Sequence, residues 1–309
     1  MVKKQIDGIL PDALHRLIEA KKSLVIIDTL PGELFRQRHI PGAKNACVYE
    51  VTFPDQVKGI VSDKAHEIVL YGSSEASSDA VTAREKLERL GYKQVYVLYG
   101  GVAAWHEAGF PLEGYHINAA VKPENVLNIK SGTYTVDISQ SIIEWAGRNP
   151  NGKHFGRVQL LKGEMTIKDK ALGGSFKIDM TSIENIDLAG DKLQPVLISH
   201  LESDDFFFVK IFPSAAFTIT TASPTSPAAL SAPNYEIEGI FELRGVRKTL
   251  HFPATLSRLS DKQIAVEAHF DFDRTRWNVI YGSSRFFEHL GMHLVFDPIS
   301  IQLRMIANS

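Results

Sequence analysis

The sequence predicts two parts, an α/β part followed by an all-β part, and three observations carry that prediction. The chain has 309 residues, and at roughly 150 residues per domain that length makes about two domains. Short apolar runs alternate with amphipathic stretches through the first hundred or so residues. From Phe176 onward apolar and polar residues alternate with a period of two. The first pattern belongs to a parallel sheet with helices packed on it. The second belongs to an antiparallel sheet with one apolar face.

In the first part, Asp12 to Lys21 reads as an amphipathic helix with Leu14, Leu17 and Ile18 on one side. Leu24 to Ile27, Ile68 to Tyr71 and Val95 to Leu98 read as buried parallel strands. Ser78 to Leu90 reads as a helix with a stripe of Ala80, Ala83, Leu87 and Leu90; Ser78 sits at the N-cap and Gly91 just past the end. Pro111 to Pro123 has no clear period, and a linker is expected at about 114–123. The parts are then 1–113 and 124–309.

In the second part, Phe176, Ile178 and Met180 alternate with polar neighbours, as do Tyr235, Ile237, Phe241 and Leu243. Ala268, Phe270 and Phe272 follow the same rule, and so do Ile299, Ile301, Leu303 and Met305. One helical interruption is expected from about Asp191 to Val209, and a loop from Ser223 to Pro233.

Composition narrows the function. Lys+Arg (34) against Asp+Glu (36) leaves a charge of −2, with neither half polarised. Non-specific nucleic-acid binding needs excess positive charge and has no footing here. A hydrophobic fraction of 44% and a charged fraction of 23% fit an ordinary folded protein. The sole cysteine, Cys47, forms no intrachain disulfide and no multi-cysteine metal site. Lys3 and Lys4 are followed by Asp7, Pro11, Asp12, His15 and Arg16, so no targeting segment is expected there. No apolar run approaches the ~18 residues of a membrane span, and a cytoplasmic location is expected.

Two segments of the first part carry a resemblance. Val25–Asp28 with Glu33 to Ala43, and Gly100 to Pro111, resemble the two signatures of the rhodanese family, with Ile68–Tyr71 leading into the position of its active-site loop. The resemblance implies an α/β sulfurtransferase fold in which a loop cysteine carries a sulfane sulfur as its thiolate. Here the loop reads Gly72, Ser73, Ser74, Glu75, Ala76, Ser77. Gly72 stands at the cysteine position and Ser77 at that of the usual basic residue, so the nucleophile is absent. Cys47 as a substitute nucleophile is an alternative; a lone cysteine is more often a small buried hydrophobe. Ser73 or Ser74 as a nucleophile needs a paired base that no local motif supplies. His39 reads as scaffold. An inactive domain kept for interaction or regulation is expected.

The second part resembles the YceI-like polyisoprenoid-binding family. The carrying segments are Tyr134–Asp137, Ser141–Trp145, Gly152–Gly156, Phe176–Ile183, His200–Val209, Gly239–Lys248, Asp273–Trp277 and Asp297–Ile299. The resemblance implies a lipocalin-like antiparallel barrel holding a long isoprenoid chain, a quinone or a prenyl phosphate. Trp145, Phe176, Ile178, Met180, Phe206, Phe207, Phe217, Ile219, Phe241, Leu243, Phe270 and Phe272 are the expected apolar lining, with Phe286 and Phe287 as lid or lumen aromatics. His154, His200 and Arg274 are candidates to hold a head group, by charge-assisted hydrogen bonds. Structural pairing of these three with Asp204, Asp205 or Asp273 is the alternative. His289 and His293, four apart, lack a third ligand, and no metal is expected. The expected function is binding or carriage of a lipid, with no enzyme activity and no cofactor. A protein partner is expected through the first part. The alternatives are a sulfurtransferase using Cys47 and a purely structural barrel filled by its own side chains.

Overall fold

The computed structural model describes residues 8–20, 22–117, 127, 129–225 and 230–309. The chain divides into two compact units, Met1–Lys122 and Pro123–Ser309. The expected linker falls outside the described residues from position 118 to 123, as do the opening lysines and positions 226–229 of the expected loop.

The first unit runs β1 (Gly8–Ile9), α1 (Pro11–Glu19), β2 (Val25–Asp28), α2 (Gly32–Gln37), β3 (Lys44–Asn45), α3 (Phe53–Ile60), β4 (Glu67–Tyr71), α4 (Asp79–Arg89), β5 (Gln94–Leu98) and α5 (Gly101–Glu107). Its parallel sheet has the order β1-β5-β4-β2-β3. Successive strand residues enter opposite cores: Ile27, Ile68 and Leu70 join α3 and α4, while Ile26, Val69 and Tyr71 join Leu14 and Trp105. Both faces are covered, which is why these strands read as unbroken apolar runs. Ser78 occupies the N-cap position of α4 but its side chain makes no capping bond. Gly91 has the positive φ of 92° that ends the helix.

Asp28 ends β2 with its side chain fully buried. Its Oδ1 accepts the Leu30 N–H at 2.8 Å, while Oδ2 has no hydrogen-bond partner. Burial pushes the carboxyl up to about 6, against the opposing pull of the Leu30 N–H.

The second unit runs β6 (Gly132–Val136), β7 (Ile142–Asn149), β8 (Gly152–Lys168), β9 (Ala171–Asn185), α6 (Gln194–Glu202), β10 (Ser214–Pro224), β11 (Tyr235–Leu243), β12 (Val246–Arg258), β13 (Gln263–Asp273) and β14 (Pro298–Asn308). Neighbours are antiparallel throughout, and β13 pairing with β14 closes the ring. Nine strands fill eight positions, because β6 and β7 share one. Both lie between β8 and β14 and run the same way, separated by Asp137–Ser141. A barrel of about eight strands has an interior fit for side chains or one small ligand. Tight turns set the register. Asp169 and Lys170 join β8 to β9 at φ 50° and 69°, and Arg244 and Gly245 join β11 to β12 at φ 50° and 71°. Two-residue hairpins with both φ positive match the twist of the strands. The helical interruption is shorter than Asp191–Val209; α6 is followed by turns from Ser203 on.

One end of the barrel is covered by α6, the turns after it, and the aperiodic segment from Arg274 to Asp297. Arg274 holds that segment. It is 1% exposed, and its Nε, Nη1 and Nη2 donate to the carbonyls of Phe296 (3.2 Å), Val279 (2.5 Å) and Val295 (3.1 Å). Burial lowers its pKa below the ordinary arginine value, opposed by Asp297 and Asp273.

Two predictions follow from these buried charges. The folded pKa of Asp28 lies above its ordinary 3.8, so its contribution to stability is full below that value and is lost as pH rises through about 6. The loss is about 3 kcal/mol. Urea melts of the first unit's transition at pH about 4 and about 7 are expected to show it, and Asp28→Asn is expected to remove this dependence. Arg274→Met strands three carbonyls without their donor and removes a positive charge 3.8 Å from Asp297. Equilibrium denaturation followed by the β-sheet signal is expected to read a loss of about 3–5 kcal/mol.

Candidate functional site

Alternation along the strands aims one residue in two into the barrel. On β7 these are Ile143, Trp145 and Gly147; on β14 they are Ile299, Ile301, Leu303 and Met305. The inward side chains leave a cavity of about 170 Å³, and its walls present no polar surface. The aromatic wall is continuous: Phe252 stacks on Phe270 with centroids 4.2 Å apart, Phe217 packs on Phe252 at 5.5 Å, and Phe241 meets Phe272 edge-on at 5.6 Å.

Of the expected apolar lining, Trp145, Phe176, Ile178, Met180, Phe206, Phe207, Phe217, Ile219, Phe241, Leu243, Phe270 and Phe272 all border this space. Phe286 and Phe287 do not; they are 52% and 44% exposed, in the segment after Arg274. The expected lining omits Met165, Leu172, Leu250, Phe252 and Val266, and it omits Ile237 and the inward residues of β14 although their alternation was noted.

The polar candidates are placed differently from the head-group expectation. His154 lies outside the lumen and pairs through Nδ1 with Asp187 at 2.8 Å. His200 pairs through Nε2 with Asp205 at 3.2 Å, its ring edge-on to Phe206 and Tyr281. Arg274 borders the lumen, but its donors serve backbone carbonyls. For His200 this is the structural pairing with Asp205 that the sequence offered as the alternative, while the partners of His154 and Arg274 are not among those it named. His293 Nδ1 meets the Tyr281 hydroxyl at 3.2 Å, and among the described residues no group of three or more His, Cys, Asp or Glu side chains is placed to hold a metal.

Two features of β7 stand out. A Cβ built on Gly147 meets nothing within 4 Å, so open space adjoins it. Trp145 Nε1 is buried and has no hydrogen-bond acceptor.

The first unit has its own candidate, the loop Gly72–Ser77 after β4. It is pinned to the start of α5, where Val102 and Ala103 donate their N–H groups to the carbonyls of Gly72 and Ser73 at 2.9 and 3.1 Å. The Asp79 carboxylate turns into the loop. Its Oδ2 accepts the Ser73 N–H at 3.1 Å and the Ser73 hydroxyl at 3.2 Å, and its Oδ1 accepts from the Tyr49 hydroxyl. Burial pushes this carboxyl up, but hydrogen bonds from Ser77, Tyr49 and Ser73 outweigh it and hold the pKa below the ordinary value. A Cβ on Gly72 would meet Asp79 Cβ and Oδ2 at 2.7 Å. Cys47 is buried, and its N–H donates to Gln56 at 2.9 Å. His39 supports its turn, meeting the Phe35 carbonyl through Nδ1 at 2.8 Å.

Comparison with known proteins agrees with this division. The YceI-like domain profile matches residues 134–307 and the rhodanese-like domain profile matches residues 10–108. Among solved structures, BcnA of Burkholderia cenocepacia is 19% identical and covers 56% of this chain and 99% of its own, with a TM-score of 0.45. A polyisoprenoid binding domain from Saccharophagus degradans, implicated in plant cell wall breakdown, is 14% identical over 57% of this chain and 98% of its own, at a TM-score of 0.40. The rhodanese-like domain of the Anabaena protein Alr3790 is 22% identical over 41% of this chain and 95% of its own, at a TM-score of 0.33. Among curated proteins none matches. Because the first profile spans more than half of the sequence, the chain belongs to the family of YceI-like domain proteins, with a rhodanese-like domain ahead of the barrel.

Proposed function

We propose that the barrel binds a long-chain isoprenoid or a similar amphiphilic lipid and acts as its carrier. The observation that carries this reading is the lumen, a cavity of about 170 Å³ whose walls are apolar. Such a space favours a hydrocarbon chain over any polar solute. The family resemblance supports an isoprenoid as the chain.

Magnitudes favour exchange over irreversible capture. Burying a CH₂ from water is worth ~0.8 kcal/mol, so a forty-carbon chain would sum to ~30 kcal/mol, past the ~20 kcal/mol at which non-covalent affinity saturates. A lipid drawn from a membrane comes from surroundings as apolar as the lumen, and most of that gain cancels. Shape and the few polar groups inside then decide affinity. A cytoplasmic location belongs to the same proposal, supported by a sequence with only one cysteine, Cys47.

The rhodanese-like domain is, in this reading, catalytically inactive and serves interaction or regulation. Two facts support it. Gly72 stands where the family carries its nucleophile, and the Asp79 carboxylate fills the space a side chain there would enter. A carboxylate in that loop takes up N–H and O–H donors that an anionic substrate would need. Exposed Tyr49 and Val51 near it offer apolar surface to a protein partner.

Gly147→Phe is expected to fill the open space on β7 while leaving the barrel folded, since aromatic residues suit strands better than glycine. Native mass spectrometry and lipid titration are expected to show at least a roughly tenfold loss of lipid binding, the worth of about 1.4 kcal/mol. Full binding by this variant would sink the lumen reading. For the first domain, neither the wild type nor Gly72→Cys is expected to transfer sulfur from thiosulfate to cyanide, and Cys47→Ser is expected to change nothing. Turnover that disappears with Cys47→Ser would establish the sulfurtransferase alternative.

A further inference from the structure

The end of the barrel covered by α6 and by the segment from Arg274 to Asp297 carries an exposed apolar surface. Leu193, Val196, Phe286 and Phe287 are exposed there, with Met292 at 83% and Phe296 at 43%. From Phe286 to Phe296 seven of the eleven residues are apolar, and the sole Asp, Glu, Lys or Arg is Glu288.

Contacts within the fold gather these side chains into one surface. Phe286 and Phe287 sit on a turn, with both N–H groups on the Ser283 carbonyl at 3.1 Å. The Val295 N–H donates to the neighbouring Gly282 carbonyl at 2.8 Å, which brings Phe296 beside that turn. Tyr281 joins the segment to α6: its hydroxyl meets His293 Nδ1 at 3.2 Å, and its ring is edge-on to His200. Val196 and Leu193 precede His200 by four and seven residues, so they share its side of the helix.

Single exposed apolar residues are ordinary, but a contiguous apolar surface marks a place that meets a protein or a membrane. Two observations choose between these. The first is continuity with the lumen. Phe296 borders the lumen and is also exposed. Its N–H donates to the Arg148 carbonyl at 2.9 Å, so it stands close to Gly147, where the lumen wall adjoins open space. A hydrocarbon chain entering or leaving there crosses this surface. In water that passage exposes the chain; against a bilayer the chain stays in apolar surroundings throughout.

The second is charge. Val295 and Phe296 also border a surface hollow lined by Arg148, Asp271, Arg285 and Asp297. Arg285 pairs with Asp273 at 2.7 Å and with Asp297 at 3.1 Å. Arg148 Nη1 donates to the Ser300 hydroxyl at 2.6 Å, and Ser300 donates to Asp271. Next to Leu193, Lys192 follows Asp191. These cations stand beside carboxylates, so the surface gains little from an oppositely charged partner, and its attraction is apolar.

Resting on the lumen reading above for the cargo, we infer that this surface docks the barrel on a lipid bilayer through apolar contact that needs no anionic headgroup, with Phe296 where a chain passes between bilayer and lumen.

The test uses the full chain and sucrose-loaded vesicles of phosphatidylcholine, alone or mixed with phosphatidylglycerol, read by co-sedimentation. The chain is expected to pellet with both, and to the same extent in about 1 M NaCl, where the screening length falls to about 3 Å. Phe286→Ser together with Phe287→Ser is expected to weaken this partition at least roughly tenfold. Squalene added from solution is still expected to bind that variant by native mass spectrometry. Gly147→Phe is expected to do the reverse, losing squalene and keeping the vesicles. Amide exchange of the wild type, which needs no variant to fold, is expected to slow over residues 284–296 when phosphatidylcholine vesicles are added. Absence of partition, partition that survives the double variant, or unchanged exchange over this segment each overturns the inference. A dimer that the double variant dissolves, in a chain that ignores vesicles, gives the surface to a second copy instead. Binding that requires phosphatidylglycerol and disappears in high salt overturns the apolar mode. A wild type that binds vesicles and takes no squalene keeps the docking surface and overturns the lumen reading.

Discussion

The Arg274 guanidinium is the interaction on which the covered end of the barrel depends. A segment of more than twenty residues between β13 and β14 has no long regular element of its own. Its carbonyls at Val279, Val295 and Phe296 converge on one buried fork. A lysine offers a point charge in place of this planar array of donors. The convergence fixes where Val295 and Phe296 stand, and these two separate the lumen from the charged hollow beside it. The same residue bounds the apolar space and orders the polar rim.

The two domains show one physical rule applied in opposite ways. In the rhodanese-like loop, the Ser73 N–H, the Ser73 hydroxyl and the Tyr49 hydroxyl all find an acceptor within the chain, the Asp79 carboxylate. That loop is internally satisfied. In the barrel, Trp145 keeps a donor that the chain does not satisfy. Buried polar groups left open are few in folded proteins, and here they fall in both domains, at Asp28 Oδ2 and Asp297 Oδ1 as well as at Trp145 Nε1.

Much of the fold was legible because its elements have a period. The strands from Phe176, Tyr235, Ala268 and Ile299 announced their inward faces, and those faces line the lumen. The apolar runs at Val25, Ile68 and Val95 announced a sheet covered on both sides. The polar residues were not legible, because their partners are set by loops without a period. His154 finds Asp187, thirty-three positions away, and Arg274 finds carbonyls up to twenty-two positions away. A pattern of residue types says that such a side chain needs an acceptor, not which one. Phe286 and Phe287 were misplaced for the same reason: an aromatic pair in an aperiodic segment carries no information about facing. The Asp79 contact had no signal in the loop motif, since an aspartate opening α4 reads simply as a favourable helix start.

Nine strands in eight positions give the barrel a seam. Where β6 ends and β7 begins, Asp137–Ser141 leaves the wall, and the gap is bridged to β14 by the Asp137 N–H on the Ile306 carbonyl and by the Ser141 hydroxyl accepting the Ile306 N–H. Other joints differ: β13 and β14 pair over eleven positions, β9–β10 and β12–β13 over five each, and β8–β9 and β10–β11 carry register shifts. A closed cylinder resists widening through its hoop of hydrogen bonds, and a hoop yields at its thinnest link. Radial give in this barrel is therefore shared between this seam, on the stave that also carries Trp145 and Gly147, and the short pairings of β9–β10 and β12–β13. Widening would open the wall at several short joints, while the long β13–β14 ladder keeps its register.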